Sequence, residues 1–144
     1  MYRAPVTGSA SDSSEPMAPT THQPSPERMV DVGRGYQLCA QSFGEESAPA
    51  VLLIAGLGQQ LLSWPDDLCS AIADAGYRVI RFDNRDVGRS THATNRPPGP
   101  RELLRRRIGD EQYTLGSMAK DTSNLLSALD LESAHVVGVS MGGM

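Results

Sequence analysis

The stretch of sequence that decides the fold lies at residues 134–143 and reads AHVVGVSMGG. Its apolar part is typical of a buried strand, and it leads directly into a Gly-x-Ser-x-Gly pattern at residues 138–142. A reactive serine at a strand-to-helix turn needs a cramped backbone that lifts its hydroxyl clear of the sheet. Gly138 and Gly142 leave room for that turn because they carry no Cβ. The stretch therefore predicts a strand that ends in a turn presenting Ser140 as a nucleophile.

Two helical patterns lie upstream of this stretch. One helix is predicted after Ser63, which is a suitable N-cap. The residues expected on its inner face are Leu68, Ile72 and Ala75. A second helix is predicted at residues 115–129, because apolar side chains recur there three and four positions apart and Thr114 can cap the first turn.

Apolar runs of strand length alternate with these helices. Strands are predicted at residues 29–32, 36–42, 51–55, 77–82 and 134–139. Strands that alternate with helices are joined by right-handed crossovers and therefore run parallel. The pattern indicates an α/β fold, with a doubly wound and mostly parallel sheet.

The composition excludes several classes of protein. Apolar residues make up 39% of the 144 residues, enough to bury the core of one domain. No apolar run approaches the roughly 18 residues of a membrane-spanning helix, so we expect no membrane insertion. The net charge of −4 gives no reason to expect a nucleic-acid partner. The two cysteines, Cys39 and Cys69, form no zinc-binding pattern, and with no secretory signal the expected location is the cytoplasm.

The first 28 residues differ in composition from the rest of the chain. They hold five of the ten prolines together with five serines. Such a segment buries too little apolar surface to offset the entropy lost on ordering. The sequence therefore predicts a disordered leader at residues 1–28 and a folded unit at residues 29–144.

A glycine-rich loop follows the first central strand and reads AGLG at residues 55–58. Acyl transfer creates an oxyanion, which backbone N–H groups held in place can stabilise. One donor would be the N–H of Met141, directly after the predicted nucleophile. The other would be the N–H of Leu57, in the loop that Gly56 opens.

Three segments together resemble the α/β-hydrolase fold superfamily. They read VLLIAGLG at residues 51–58, DNRDVGRS at 83–90 and HVVGVSMGGM at 135–144. Their order and spacing are similar to those of bacterial esterase-like members that share the pattern of aclacinomycin methylesterase. The resemblance extends over residues 29–144 and implies that the predicted sheet is the first five strands of a hydrolase sheet.

The resemblance also implies roles for individual residues. Ser140 matches the nucleophile, the N–H groups of Leu57 and Met141 match the oxyanion donors, and Gly56, Gly138 and Gly142 support the two loops. Asp83, Arg85 and Ser90 are expected to brace the loop after the second central strand. Many relatives have His-Gly where this chain has Ala55-Gly56, which alters side-chain support and leaves the backbone donor in place. A small-molecule ester is the implied substrate, with no cofactor and no metal.

The acid and the histidine of a catalytic triad are missing from the expected places. In this fold the order is Ser, then Asp or Glu, then His, and only four residues follow Ser140. The three histidines, His22, His92 and His135, all precede it. The chain is therefore expected to resemble an N-terminal fragment that is inactive and poorly folded alone.

Other functions fit parts of the sequence. A cofactor-free perhydrolase or haloperoxidase, or a C–C hydrolase, would use a similar serine, and a non-catalytic relative could keep the same fold. A dinucleotide-binding unit would explain Gly56 and Gly58 after a strand, with Asp83 at the end of the next strand. Against that unit, Leu61 stands at the third glycine position, and acidic residues open the following helix. The oligomeric state is left open by the sequence.

Overall fold

The structure, a computed structural model, describes residues 22–93 and 114–144. Five strands form one sheet in the spatial order β1-β2-β4-β3-β5. They span Arg28–Asp31 (β1), Gln37–Phe43 (β2), Ala50–Ile54 (β3), Arg78–Phe82 (β4) and His135–Gly138 (β5). β2 pairs antiparallel with β1 and β4, whereas β3 runs parallel to both β4 and β5. The predicted α/β class is confirmed, with a sheet that is parallel in its β4-β3-β5 part.

Two helices connect the parallel strands. α1 spans Asp66–Asp74 between β3 and β4, and α2 spans Leu115–Ala128 before β5. Thr114 caps α2 as predicted, because its hydroxyl accepts a hydrogen bond from the Ser117 N–H and the Ser117 hydroxyl accepts one from the Thr114 N–H, both at 3.3 Å. This reciprocal pair satisfies N–H groups that have no partner within the helix.

The start of α1 differs from the sequence prediction, and its inner face agrees with the prediction only at Ile72. Ser63 ends a short 3-10 turn, and Pro65 is the residue from which α1 begins. Cys69 and Ala73 are buried in the apolar layer against the sheet, and the predicted Ile72 packs partly on that layer, whereas Leu68 is 42% exposed and Ala75 is exposed. The small side chains lie inward because α1 packs close to the sheet, where a Cβ on Gly44 would be 3.2 Å from that of Ala73.

The core has one apolar layer on each face of the sheet. Leu125 and Leu129 belong to the layer on the α2 side, together with strand residues such as Leu52. Cys69 and Ala73 of α1 belong to the opposite layer. The two helices therefore cover opposite faces, because right-handed crossovers to opposite sides of β3 place them so.

Residues 22–28, the last part of the predicted leader, pack on the folded unit. The Ser25 N–H donates to the carbonyl of Ser42 at 2.8 Å, and the Ser25 hydroxyl accepts from the Ser42 N–H at 2.9 Å. The carbonyl and the ring of His22 contact α1. Packing thus begins earlier than the predicted boundary at residue 28, and residues 1–21 lie outside the described residues.

Candidate active site

Ser140 lies in the turn that follows β5. The Val139 N–H donates to the carbonyl of Ile54 at 3.1 Å, which ties the end of β5 to β3. Ser140 then takes a φ of 54°, in the left-handed region that residues with a Cβ rarely adopt, and starts a 3-10 turn. Its side chain is exposed. A strained backbone that presents one exposed hydroxyl is the arrangement a nucleophile requires.

Glycines make this turn possible. A Cβ on Gly138 would collide with the carbonyl of Gly142. A Cβ on Gly142 would collide with the carbonyl of Ile54 and lie 2.9 Å from that of Ala55. All of these neighbours are backbone atoms, which cannot rotate aside. The turn therefore folds back on both β5 and the end of β3, and only glycine fits at these two positions.

The loop after β3 lies against the same serine. A Cβ on Gly56 would be 3.4 Å from the Cβ of Ser140 and 3.4 Å from the carbonyl of Val139. The structure thus brings Gly56, Gly138, Gly142 and Ser140 together. Leu57 follows in the loop, with a side chain 81% exposed.

The two predicted oxyanion donors are the N–H groups of Leu57 and Met141. Leu57 directly follows Gly56, and Met141 directly follows Ser140. Since Gly56 and Ser140 lie against each other, both N–H groups belong to the same part of the structure. Within residues 22–93 and 114–144, neither N–H donates to a backbone or side-chain acceptor. Both donors are therefore unoccupied by the described protein groups and available to a ligand oxygen.

The loop after β4 is held by buried polar side chains. The Asp83 carboxylate accepts from the N–H of Leu61 at 2.6 Å and from that of Arg89 at 3.0 Å. The Ser90 hydroxyl donates to the Asp83 carbonyl at 2.7 Å and accepts from the N–H of Cys39 at 2.9 Å. These contacts agree with the bracing role expected for Asp83 and Ser90.

Arg85 of the same loop is bound to α2. Its guanidinium makes two contacts of 2.6 Å with the Asp121 carboxylate, and both side chains are buried. The guanidinium also lies over the Tyr36 ring, 4.1 Å from the centroid. Asp121 was not predicted from the sequence. A signal was present, because Asp121 is the one charge at helical spacing between Met118 and Leu125 on the apolar side of α2.

Two further residues near the site were not predicted. The Asn84 side-chain amide donates to the carbonyl of Ala55 at 3.3 Å, and the Gln59 side-chain oxygen accepts from the Gly56 N–H at 2.9 Å. Gln59 lies in an exposed polar stretch, where the sequence offers no periodicity that would mark it. Both residues hold the peptide at the end of β3.

A cavity of about 200 Å³ opens between α2 and the Ser140 turn. Its lining is mainly apolar, and Ser140 is not part of it. The lining residues are Ile54, Asn84, Leu115, Met118, Ala119, Thr122, Met141, Gly142 and Met144. The predicted apolar side of α2 therefore packs in two places. Leu125 lies in the core, whereas side chains of the first two turns line this cavity.

The contacts that the histidines make in the described structure are with residues other than Ser140. The His22 ring is 3.3 Å from the Asp74 carboxylate, and the His135 ring packs edge-on against Tyr77 with centroids 5.8 Å apart. His92 is exposed in the loop after β4. In the described part of the chain, none of the three hydrogen-bonds to Ser140.

The two cysteines are free and buried. Burial and the neighbouring Glu27 carboxylate raise the pKa of the Cys39 thiol to about 11, and burial raises the pKa of the Cys69 thiol. Protonated, enclosed thiols are poor nucleophiles.

The described residues contain no group of three or more His, Cys, Asp and Glu side chains able to hold a metal ion. None of the helices in residues 22–93 and 114–144 has the length and apolar character needed to cross a membrane.

The geometry disfavours the dinucleotide-binding alternative. A pyrophosphate site needs free N–H groups at a helix N-terminus. Leu61 is buried and its N–H is taken by the Asp83 carboxylate, while Asp66 and Asp67 lie in the first turn of α1. Two carboxylates at that end would repel an anion.

Comparisons with known proteins identify related sequences and folds. Residues 49–144 match the family model described as the alpha/beta hydrolase fold. The chain is 33% identical over 117 residues to rhodomycin D methylesterase DauP from Streptomyces sp. (strain C5), covering 81% of this chain and 35% of that protein. It is 30% identical over 116 residues to 3-oxoadipate enol-lactonase 1 from Acinetobacter baylyi, covering 81% and 36% respectively.

A solved structure of a hydrolase from Pseudomonas aeruginosa PA01 has the same fold. It superimposes with a TM-score of 0.64 at 30% identity, covering 82% of this chain and 38% of that one. The chain thus spans about a third of the length of the relatives that it matches.

Proposed function

The chain belongs to the alpha/beta hydrolase fold family, and from that membership we propose that it carries the nucleophile and the oxyanion donors of a serine hydrolase acting on carboxylic esters. The observation that carries the proposal is the backbone at Ser140. Its φ of 54° is strained, its side chain is exposed, and glycines on three sides permit the turn. Strain of about 1–3 kcal/mol at one residue is typical of functional sites.

The proposed reaction uses an acyl-enzyme. The Ser140 oxygen attacks the ester carbonyl, its proton passes to a general base, and the carbonyl electron pair moves onto the oxygen. The N–H groups of Leu57 and Met141 stabilise that oxyanion. The base returns the proton to the departing alcohol, and water then hydrolyses the acyl group by the same steps. The scheme needs no cofactor and no metal.

The general base is proposed to come from outside these 144 residues. None of the described contacts of His22, His92 or His135 reaches Ser140, and the ring of His135 is packed on Tyr77. A serine hydroxyl without a base is a weak nucleophile. We therefore expect the 144-residue chain alone to lack esterase activity.

The proposed substrate is a small carboxylic ester. Two of the relatives are named a methylesterase and an enol-lactonase, and both names denote cleavage of an ester bond. With two free thiols in the described structure, the cytoplasm is the proposed location.

The decisive experiment is active-site labelling with a fluorophosphonate. The protein is expressed from the longest open reading frame that contains this sequence. The Ser140 oxygen should bond to phosphorus as fluoride leaves, and Ser140→Ala should abolish labelling. Ser133→Ala, at an exposed serine just before β5, is the matched control and should label normally.

Two outcomes would contradict parts of the proposal. Undiminished labelling of the Ser140→Ala protein would remove the nucleophile assignment. Ser140-dependent labelling without turnover of p-nitrophenyl esters would retain the nucleophile and point instead to perhydrolysis or C–C bond cleavage at the same serine.

A further inference from the structure

We infer that Gln59 is a positioning residue that fixes the direction of the Leu57 N–H, the oxyanion donor in the loop after β3. The inference rests on the proposed function, because it concerns the same oxyanion site. It assigns a part to a polar side chain that neither the sequence motifs nor the family likeness marks. Three contacts around Gly56 carry it.

The first two contacts hold the peptide between Ala55 and Gly56 at both ends. The Asn84 amide donates to the carbonyl of Ala55 at 3.3 Å, and the N–H of Gly56 donates to the Gln59 side-chain oxygen at 2.9 Å. A peptide unit is planar, so fixing its carbonyl and its N–H fixes the plane. Gln59 therefore sets the orientation in which the chain leaves β3.

The third contact fixes the next peptide, between Gly56 and Leu57. The backbone N–H of Gln59 donates to the carbonyl of Gly56 at 3.2 Å. In a trans peptide the carbonyl and the following N–H point in opposite directions. The Leu57 N–H therefore points away from Gln59, and it has no acceptor among the described residues.

Gly56 has to lack a side chain for this arrangement. A Cβ there would lie 2.8 Å from the Gln59 side-chain oxygen on one side and 3.4 Å from the Ser140 Cβ on the other. Gly56 is thus held between the positioning residue and the nucleophile. Loss of the Gln59 side-chain contact would leave the Ala55–Gly56 peptide, which lies beside the Ser140 turn, held at its carbonyl alone.

Gln59 is exposed, so its substitution leaves the apolar core intact. The adjacent Gln60 offers a matched control, because it is also exposed and its side chain makes no hydrogen bond within the described residues. The two residues are identical in type and adjacent in the chain, and only the side chain of Gln59 accepts a hydrogen bond from Gly56.

The test compares Gln59→Ala and Gln59→Met with Gln60→Ala in the open-reading-frame product. Misdirecting a donor should lower kcat about tenfold with little change in KM, since the oxyanion forms only after the ground state. Inhibition by an aryl trifluoromethyl ketone should weaken by a similar factor, because its serine adduct carries an oxyanion. The Gln59 variants should melt within about 2 °C of Gln60→Ala.

Each outcome decides a separate point. Equal kcat and equal ketone inhibition in the Gln59 and Gln60 variants would overturn the inference, while Ser140-dependent labelling in the same protein would leave the proposed function standing. A lower melting temperature with unchanged kcat would show that Gln59 has a structural role only. Absence of Ser140-dependent labelling in the unsubstituted protein would instead defeat the proposed function.

Discussion

The loop after β4 and the turn after β5 leave the same edge of the sheet, because both strands run parallel to β3. Buried side chains hold the first, through the carboxylate of Asp83 and the ion pair between Arg85 and Asp121. Close backbone contacts hold the second, with glycine at 138 and 142. Polar contacts between side chains and backbone therefore hold the loop after β4, whereas the turn after β5 depends on two positions that have no side chain.

The difference separates stability from activity. Removing one charge of the Arg85–Asp121 pair leaves the other buried without that partner, and the cost falls on folding. Adding a methyl group to the turn after β5 displaces the backbone that carries Ser140, and the cost falls first on the proposed nucleophile. Substitutions in the two regions should therefore give opposite patterns of stability and Ser140 labelling.

The largest effect is expected from Asp121→Ala. The change leaves the Arg85 guanidinium buried without its carboxylate, which should lower the free energy of unfolding by about 3–5 kcal/mol. Urea denaturation of the open-reading-frame product measures the loss. Lys120→Ala, an exposed charge on the same helix, is the control and should change stability little. A loss equal to that of the control would show that the ion pair does not hold this loop.

A smaller loss of stability, about 2–3 kcal/mol, is expected from Gly142→Ala. The new Cβ would meet the carbonyls of Ile54 and Ala55, so the turn must open and Ser140 must move. Fluorophosphonate labelling should fall more than tenfold. Gly143→Ala is the control in the same turn, because its Cβ would come no closer than 3.3 Å to a neighbouring atom. Normal labelling of Gly142→Ala would mean that the turn does not depend on this close approach.

The smallest effect is expected from removing the segment before β1. That segment adds an exposed pair to the braced loop, between Glu27 and Arg89 at 2.8 Å, and pairs Ser25 with Ser42. A chain starting at Arg28 should be about 1–2 kcal/mol less stable than one starting at His22, because the segment's hydrogen bonds, at about 0.5–1.5 kcal/mol each, are largely offset by the entropy lost when it is ordered. Thermal melting compares the two. Identical melting temperatures would show that the segment contributes nothing to the fold.

Much of the site could be predicted because it is local in sequence. The Gly-x-Ser-x-Gly pattern and the strand before it lie within ten residues, and the structure has a turn there that needs both glycines. The cap of α2 is equally local, since Thr114 and Ser117 are three residues apart. The helix α1 was predicted less well, because Ser63 is a good cap by type, yet Pro65 begins the helix.

The residues that were missed have distant partners or no pattern. Asp121 binds Arg85, 36 positions away, and Arg81 contacts Gln41, 40 positions away. Residue type alone places Arg81 on the surface, whereas it is 1% exposed and packs over the Phe43 ring. Whether a charge can be buried depends on the partner that the fold brings to it.

The sequence by itself determined the order of strands and helices, the position of Ser140 in a turn and the need for glycine around it. The spacing of apolar residues and the absence of a Cβ in glycine both act over a few neighbouring residues, so a local pattern contains them. Only the tertiary structure decided which charges are buried, which face of α1 points inward, and which of two adjacent glutamines holds Gly56. Those outcomes depend on atoms that come together when the sheet forms, so a local pattern does not contain them.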